Sequence, residues 1–130
     1  MTEEPTVAAV LDEEWLARFV LFRKWIRIDQ TVRPDAFIPH PYPNLSVTRH
    51  LGLTDSELWD IGRDVADARP ATLYGRADLQ ALNFRKQSLA ISPTRMPRNH
   101  ANVSGWPPDK PSQKIVAQEI AALGAFVRRP

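Results

Sequence analysis

The sequence predicts an α+β domain in which a mainly antiparallel sheet of about four or five strands is covered by two main helices. Two stretches carry apolar residues at helical spacing, and several short stretches alternate between apolar and polar residues as strands do. Of the 130 residues, 43% are hydrophobic and 25% are charged, which are ordinary values for a folded domain. A chain of this length buries enough surface for one core.

The N-terminal segment differs in charge from the rest of the chain. Residues 1–14 contain five acids and no base, whereas the whole chain has a net charge of +2, so the remainder carries +7. We therefore predict an acidic N-terminal arm at 1–14 and a single α+β domain at 15–130. The acids at 12–14 favour a brief helix at 15–17, because negative charge stabilises a helix N-terminus.

Five segments are predicted to be strands because β-branched, aromatic or alternating residues dominate them. The first of them also fits a helix, since Phe19, Phe22 and Ile26 recur at helical spacing. Residues 29–43 are rich in proline, which lacks the N–H that a sheet needs, and are predicted to be a stiff connection. A turn of helix is predicted at 77–82. The predicted strands are 19–28, 44–50, 71–75, 87–92 and 100–105.

The clearest predicted helix runs from Thr54 to Ala68. Thr54 and Glu57 match the capping-box pattern, in which each side chain bonds the other residue's free backbone N–H. A second helix is predicted from an N-cap at Asp109 to about Val127. Both helices carry one apolar stripe, and the simplest arrangement places them together on one side of the sheet.

Composition excludes several classes of protein. The chain contains no cysteine, so disulfides, thiolate metal sites and a cysteine nucleophile are ruled out. It has neither the pattern of a secretory signal nor an apolar run of bilayer length, and we expect a soluble, cytoplasmic protein with no membrane partner. The excess of arginine over lysine, together with 12 prolines, suggests a bacterial source with a GC-rich genome.

Metal and cofactor sites are not predicted. The three histidines, His40, His50 and His100, are too widely spaced to form the paired ligands that zinc sites usually contain. Glycine-rich phosphate-binding loops are missing too, because the five glycines stand far apart. We therefore expect neither a metal nor a cofactor.

A polar cluster at 98–102 supplies the candidate catalytic residues. His100 is the candidate for proton transfer, and Asn99 could orient its imidazole. Asn99 could equally satisfy backbone groups in a turn. Arg27 is a third candidate, because arginines on or beside the predicted strands can bind phosphate or carboxylate. Those arginines are Arg23, Arg27, Arg49 and Arg76. His100 together with these arginines predicts a small enzyme that acts on a phosphorylated substrate, provided that His100 and at least two arginines share a pocket.

The segment 76–98 carries five bases and one acid and suggests a second function. Basic residues next to an aromatic side chain can follow a phosphate backbone, so a nucleic-acid-binding module is an alternative hypothesis. A solvated basic loop would have the same composition. The candidate binding residues are Arg76, Arg85, Lys86, Arg95 and Arg98.

Aromatic residues suggest the leading hypothesis, a non-enzymatic accessory or protein-interaction domain. Exposed tryptophans often anchor protein interfaces, and Trp59 and Trp106 are the candidates for this role. Tyr42 lies in the proline-rich stretch 39–43, whose stiff backbone loses little entropy on binding. Core packing is the alternative explanation for each tryptophan.

Overall fold

A computed structural model describes residues 7–39 and 43–130. The described chain forms six strands and three helices. In chain order they are β1 (Trp15–Val20), β2 (Leu45–Arg49), α1 (Asp55–Ala68), β3 (Gly75–Gln80), α2 (Ala81–Arg85), β4 (Ala90–Pro93), β5 (His100–Ser104), α3 (Lys110–Leu123) and β6 (Ala125–Arg128). All the strands join one antiparallel sheet in the order β4-β5-β2-β1-β3-β6. The predicted α+β class is confirmed, with one strand more than expected.

The two long helices lie on opposite faces of the sheet, not on one side as predicted. Successive side chains of a strand point to opposite faces. Leu16 and Val20 of β1 pack in one apolar cluster with residues of α3, whereas Phe19 packs in a second cluster with residues of α1. The sheet therefore has a buried face on each side, and β1, at its centre, is apolar on both.

Helix α1 begins as the capping-box pattern predicts. The Glu57 backbone N–H donates to Thr54 Oγ1 at 3.1 Å, and the Thr54 N–H donates to Glu57 Oε1 at 3.0 Å. Gly62 faces the sheet, and a Cβ built there would lie 2.6 Å from the Phe19 ring. The absence of a side chain at this position lets the helix approach β1 closely.

The first strand begins earlier than the sequence predicts. Residues 15–17, predicted as a brief helix, belong to β1, and the chain after Val20 forms a 3-10 turn at Arg23–Trp25 instead of continuing as a strand to residue 28. A strand that is buried on both faces has apolar residues at most positions, so its sequence does not alternate between apolar and polar residues. Pairing with β3 at all six residues from Trp15 to Val20 fixes the extended conformation.

Strands β3 and β6 occupy places where other elements were predicted. The predicted strand at 71–75 and helical turn at 77–82 were wrong, because 75–80 is a strand and α2 follows it. The charged residues of β3, Arg76 and Asp78, bond to each other on the face of the sheet that α1 covers. Because the two charges are paired, both side chains can be buried. The last helix ends at Leu123 rather than near Val127, and the following residues form β6, which pairs with β3.

Other predicted elements need smaller changes. The strands predicted at 44–50 and 100–105 are confirmed as β2 and β5, and Asp109 caps α3 by accepting the Ser112 N–H at 2.9 Å. The strand predicted at 87–92 starts later, at Ala90, because 86–89 form a turn with Ser88 at a positive φ of 61°.

Residues 7–14 of the predicted acidic arm contact the domain. Arg49 donates from Nε and Nη2 to the two carboxylate oxygens of Glu14, each at 2.9 Å, and from Nη1 to the Ala8 carbonyl at 2.7 Å. Arg85 binds Asp12 and donates to the Val10 carbonyl. The division of the chain into an arm and a domain stays a prediction.

Candidate anion-binding cleft

The central strands β1 and β2 separate after a short pairing. They align at two positions, Leu16 with Arg49 and Ala17 with Thr48. Arg18 stands at the point of separation. Its Nε donates to the Ala36 carbonyl at 2.8 Å, and its Nη1 donates to the Ser46 carbonyl at 3.1 Å. The guanidinium thus occupies the fork between the two strands.

Arg18 carries a positive charge that no carboxylate of the described residues neutralises. Its acceptors are neutral carbonyls, and its guanidinium carbon lies 5.6 Å from the centroid of the Trp25 ring. No acid in residues 7–39 or 43–130 forms an ion pair with it. Burial, and next the positive charge of Arg69, lower the pKa of Arg18 to about 10. Arg18 is still charged at neutral pH, in an environment that disfavours the charge.

A cavity of about 560 Å³ opens beside Arg18 and is predominantly basic. Four cationic side chains line it, with one carboxylate, two aromatic rings and an isoleucine. The lining residues are Arg18, Lys24, Arg69, Lys110, Asp35, Phe22, Trp25 and Ile38. Lined in this way, the cleft attracts small anions and offers aromatic surface beside them.

Local sequence positions each wall of the cleft. Pro34 opens a second 3-10 turn, Pro34–Phe37, which presents the Ala36 carbonyl to Arg18. Arg69 is the C-cap residue directly after α1, a position where the helix dipole favours a cation. Lys110 is the first residue of α3, directly after the capping Asp109. Phe22 and Trp25 meet edge to face with their centroids 4.8 Å apart.

An adjoining groove shares Arg69 with the cleft. It has a volume of about 350 Å³ and lies between α1 and the strands β2 and β5. A narrower space of about 40 Å³ is lined by Arg18, Arg69 and His100 together, so the two cavities are neighbours. The groove is lined by Ser46, Ile61, Asp64, Val65, Ala68, Arg69, Pro97, Arg98 and His100.

His100, the predicted proton-transfer residue, lines this groove. Its Nδ1 lies 2.8 Å from Thr94 Oγ1, and burial lowers its pKa. Asn99 has a positive φ of 61° and donates from Nδ2 to the Arg49 and Leu51 carbonyls. Asn99 therefore bonds backbone groups and not the imidazole of His100.

The predicted arginine residues Arg95 and Arg98 lie near His100. With Asn99 they line a third cavity, of about 490 Å³, and Arg98 also bonds Glu57 at 3.1 Å. His100 therefore shares the 350 Å³ groove with Arg69 and Arg98, neither of which is one of the strand arginines that the hypothesis of a phosphorylated substrate named. Only one of these two arginines, Arg98, was singled out from the sequence.

Trp59 and Arg76 lie inside the protein. The Trp59 side chain is 3% exposed, and the Arg76 guanidinium stacks 4.6 Å from its ring centroid. Arg76, 6% exposed, also binds Asp78 and Asp55, and its Nη1 is buried without a hydrogen-bond partner in the described chain. Neither side chain offers an exposed surface to a partner protein or a nucleic acid.

The remaining candidates lie elsewhere. Trp106 is half-buried against the core and donates from Nε1 to the Val103 carbonyl at 3.0 Å. Arg27 donates to the Val32 carbonyl and lines a separate cavity of about 270 Å³ with Arg23. Tyr42 lies outside the described residues.

None of the residues that line the cleft was named as a site residue from the sequence. Arg18 shares a strand face with the buried Leu16 and Val20, and a charged residue on the inward face of a central strand is the signal that could have identified it. Arg69 has no such signal, because arginine is common at the end of a helix.

Comparison of the chain with protein-family models, with curated proteins and with solved structures finds no match. None of the helices in the described residues combines the length and the apolar character that crossing a bilayer requires. Within 7–39 and 43–130, no group of three or more histidine, aspartate or glutamate side chains is placed to hold a metal ion. The candidate site is therefore identified from the positions and chemistry of its own residues.

Proposed function

We propose that this domain binds a small phosphorylated or carboxylated molecule in the cleft beside Arg18 and Arg69. The observation that carries the proposal is the half-buried guanidinium of Arg18, which has no carboxylate partner in the part of the chain that the structure describes and has a second arginine beside it. Buried charges in proteins are normally paired, and perturbed pKa values are common at functional sites. An anionic ligand would supply the missing counter-charge.

The lining of the cleft suits this role. Guanidinium groups bind phosphate and carboxylate through two parallel hydrogen bonds, while lysines act as point charges. Lys24 and Lys110 lie at the rim, where exposed cations raise the local concentration of an anion. Phe22, which is 47% exposed, offers apolar area to the rest of the ligand and packs edge to face on the buried Trp25.

The other two hypotheses stay predictions with less structural support. The interaction-domain hypothesis relied on tryptophans that are buried or half-buried in the structure. The basic residues of the nucleic-acid hypothesis do not share one surface, since Arg76 is buried and Arg85 is bonded to Asp12. A bacterial source and a cytoplasmic location are retained here as parts of the proposal.

Titration of the protein with pyrophosphate tests the proposal. We expect isothermal calorimetry to detect saturable binding at one site, and Arg69→Gln to weaken it by about tenfold or more, because a charge-assisted bond to the anion is removed. Arg63→Gln is the matched control. It removes the same charge from the same helix, where Arg63 is exposed and paired with Asp60. Equal weakening in both variants, or no binding to the wild type, would contradict the proposal.

A further inference from the structure

The groove beside the cleft is bounded on the side of the sheet by two polar side chains, Ser46 of β2 and His100 of β5. Ile61 and Val65 of α1 form an apolar wall opposite. Arg69 lines both the groove and the cleft, so a ligand whose anionic group is held by Arg69 can extend into the groove.

The hydrogen bonds of Thr94 fix which nitrogen of His100 carries a proton. Thr94 Oγ1 lies 3.0 Å from the Met96 carbonyl, which accepts its hydroxyl proton, and 2.8 Å from His100 Nδ1. A hydroxyl has a single proton to donate, and with that proton directed to the Met96 carbonyl the contact with Nδ1 is made by Nδ1–H donating to the oxygen. In the neutral imidazole, Nε2 then carries the lone pair.

The second nitrogen is available to a ligand. In the part of the chain that the structure describes, Nε2 of His100 has no hydrogen-bond partner. Burial lowers the pKa of His100, which favours the neutral ring at pH 7. The groove thus contains a hydrogen-bond acceptor of fixed orientation. It lies beside Arg69 and Arg98, whose guanidinium groups can only donate.

We propose that His100 Nε2 accepts a hydrogen bond from a hydroxyl group of the ligand, so that the ligand class is a phosphorylated or carboxylated polyol rather than a simple anion. The inference rests on the proposed function, because Arg69 must hold the anionic group. His100 then determines specificity. A site that bonds a hydroxyl discriminates against an analogue that lacks it, since the half-buried acceptor would lose that bond.

Two probes that differ in their hydroxyl groups test this inference. Glycerol 3-phosphate and n-propyl phosphate carry the same phosphate on a three-carbon chain, and only the first has hydroxyls. We expect calorimetry at pH 7.5 to show that the wild-type protein prefers glycerol 3-phosphate by about tenfold. His100→Phe should abolish the preference while leaving the affinity for n-propyl phosphate unchanged.

Two further variants distinguish His100 from its neighbours. Thr94→Val removes the hydroxyl that orients the imidazole and should reduce the preference without removing phosphate binding. Asp67→Asn removes an exposed carboxylate from the same helix, outside the lining of the groove, and should leave the preference intact. Equal binding of both probes to the wild type, or a preference that survives His100→Phe, would overturn the inference and leave the proposed function standing. Failure of both probes to bind would overturn both.

Discussion

Arg49→Met is expected to lower the free energy of unfolding by about 3–5 kcal/mol, the usual cost of removing one partner of a buried ion pair. The side chains of Arg49 and Glu14 are 5% and 10% exposed, and both carboxylate oxygens accept from the guanidinium. The substitution leaves the Glu14 charge buried and also removes the donor to the Ala8 carbonyl. Urea denaturation at pH 7 measures the change.

Arg63→Met provides the control for this prediction. Its ion pair with Asp60 is exposed and should contribute less than about 1 kcal/mol. A loss in Arg49→Met no greater than in this control would show that residues 7–14 are not held against the sheet by the Glu14 pair.

The pH dependence of stability gives a second readout of the same pair. Burial raises the pKa of Glu14, but the hydrogen bonds and charge of Arg49, with the Leu11 N–H, outweigh it, so the pKa lies below its usual value. A carboxyl with a lowered folded-state pKa stabilises fully above its unfolded pKa, about 4.3, and this contribution is lost as the pH falls through the folded-state value. Arg49→Met should remove that acid-dependent loss.

Arg18→Met is expected to reduce the affinity for pyrophosphate by about a hundredfold or more, because the half-buried guanidinium is the central cation of the proposed site. Its effect on stability should be smaller than that of Arg49→Met, because two contributions of opposite sign partly cancel. The change removes a buried charge with no partner acid, which is favourable, and two hydrogen bonds to the Ala36 and Ser46 carbonyls, which cost about 1–3 kcal/mol each when left unmet.

Calorimetry and urea denaturation of the same samples check both halves of this prediction. Arg18→Lys is the companion variant, since it keeps the charge but loses the two-pronged donor geometry, and should retain weak binding. Full pyrophosphate affinity in Arg18→Met would remove Arg18 from the site. A loss of stability as large as in Arg49→Met would show that Arg18 is structural.

Local signals predicted some elements of the fold well. The capping box at Thr54 and the apolar stripe behind it define α1 without help from tertiary structure. Strand β5 alternates cleanly because only one of its faces is buried. Strands β1 and β3 gave no such signal, since β1 is buried on both faces and the charges of β3 are satisfied only by residues brought together in the fold.

The groove was predicted only in part, and the cleft was not predicted, for the same reason. His100 and Arg98 belong to one local polar cluster and were recognised together, and the structure places them in one groove. Arg18 and Arg69 are separated by 51 positions in the sequence, and their proximity depends on the packing of α1 against β1. The spacing of Arg18 and Arg69 in the sequence gives no indication of that packing.

The arginine Nε–Hε resonances in a ¹H–¹⁵N correlation spectrum test the central claim most directly, because each reports the environment of one guanidinium. The Arg18 Nε–H donates to the Ala36 carbonyl and should be protected enough to observe. Titration with pyrophosphate should shift the Arg18 and Arg69 signals in a saturable way and leave those of Arg49 and Arg63 in place. An unchanged Arg18 signal, or shifts spread evenly over the arginines, would contradict an anion site at the fork of β1 and β2.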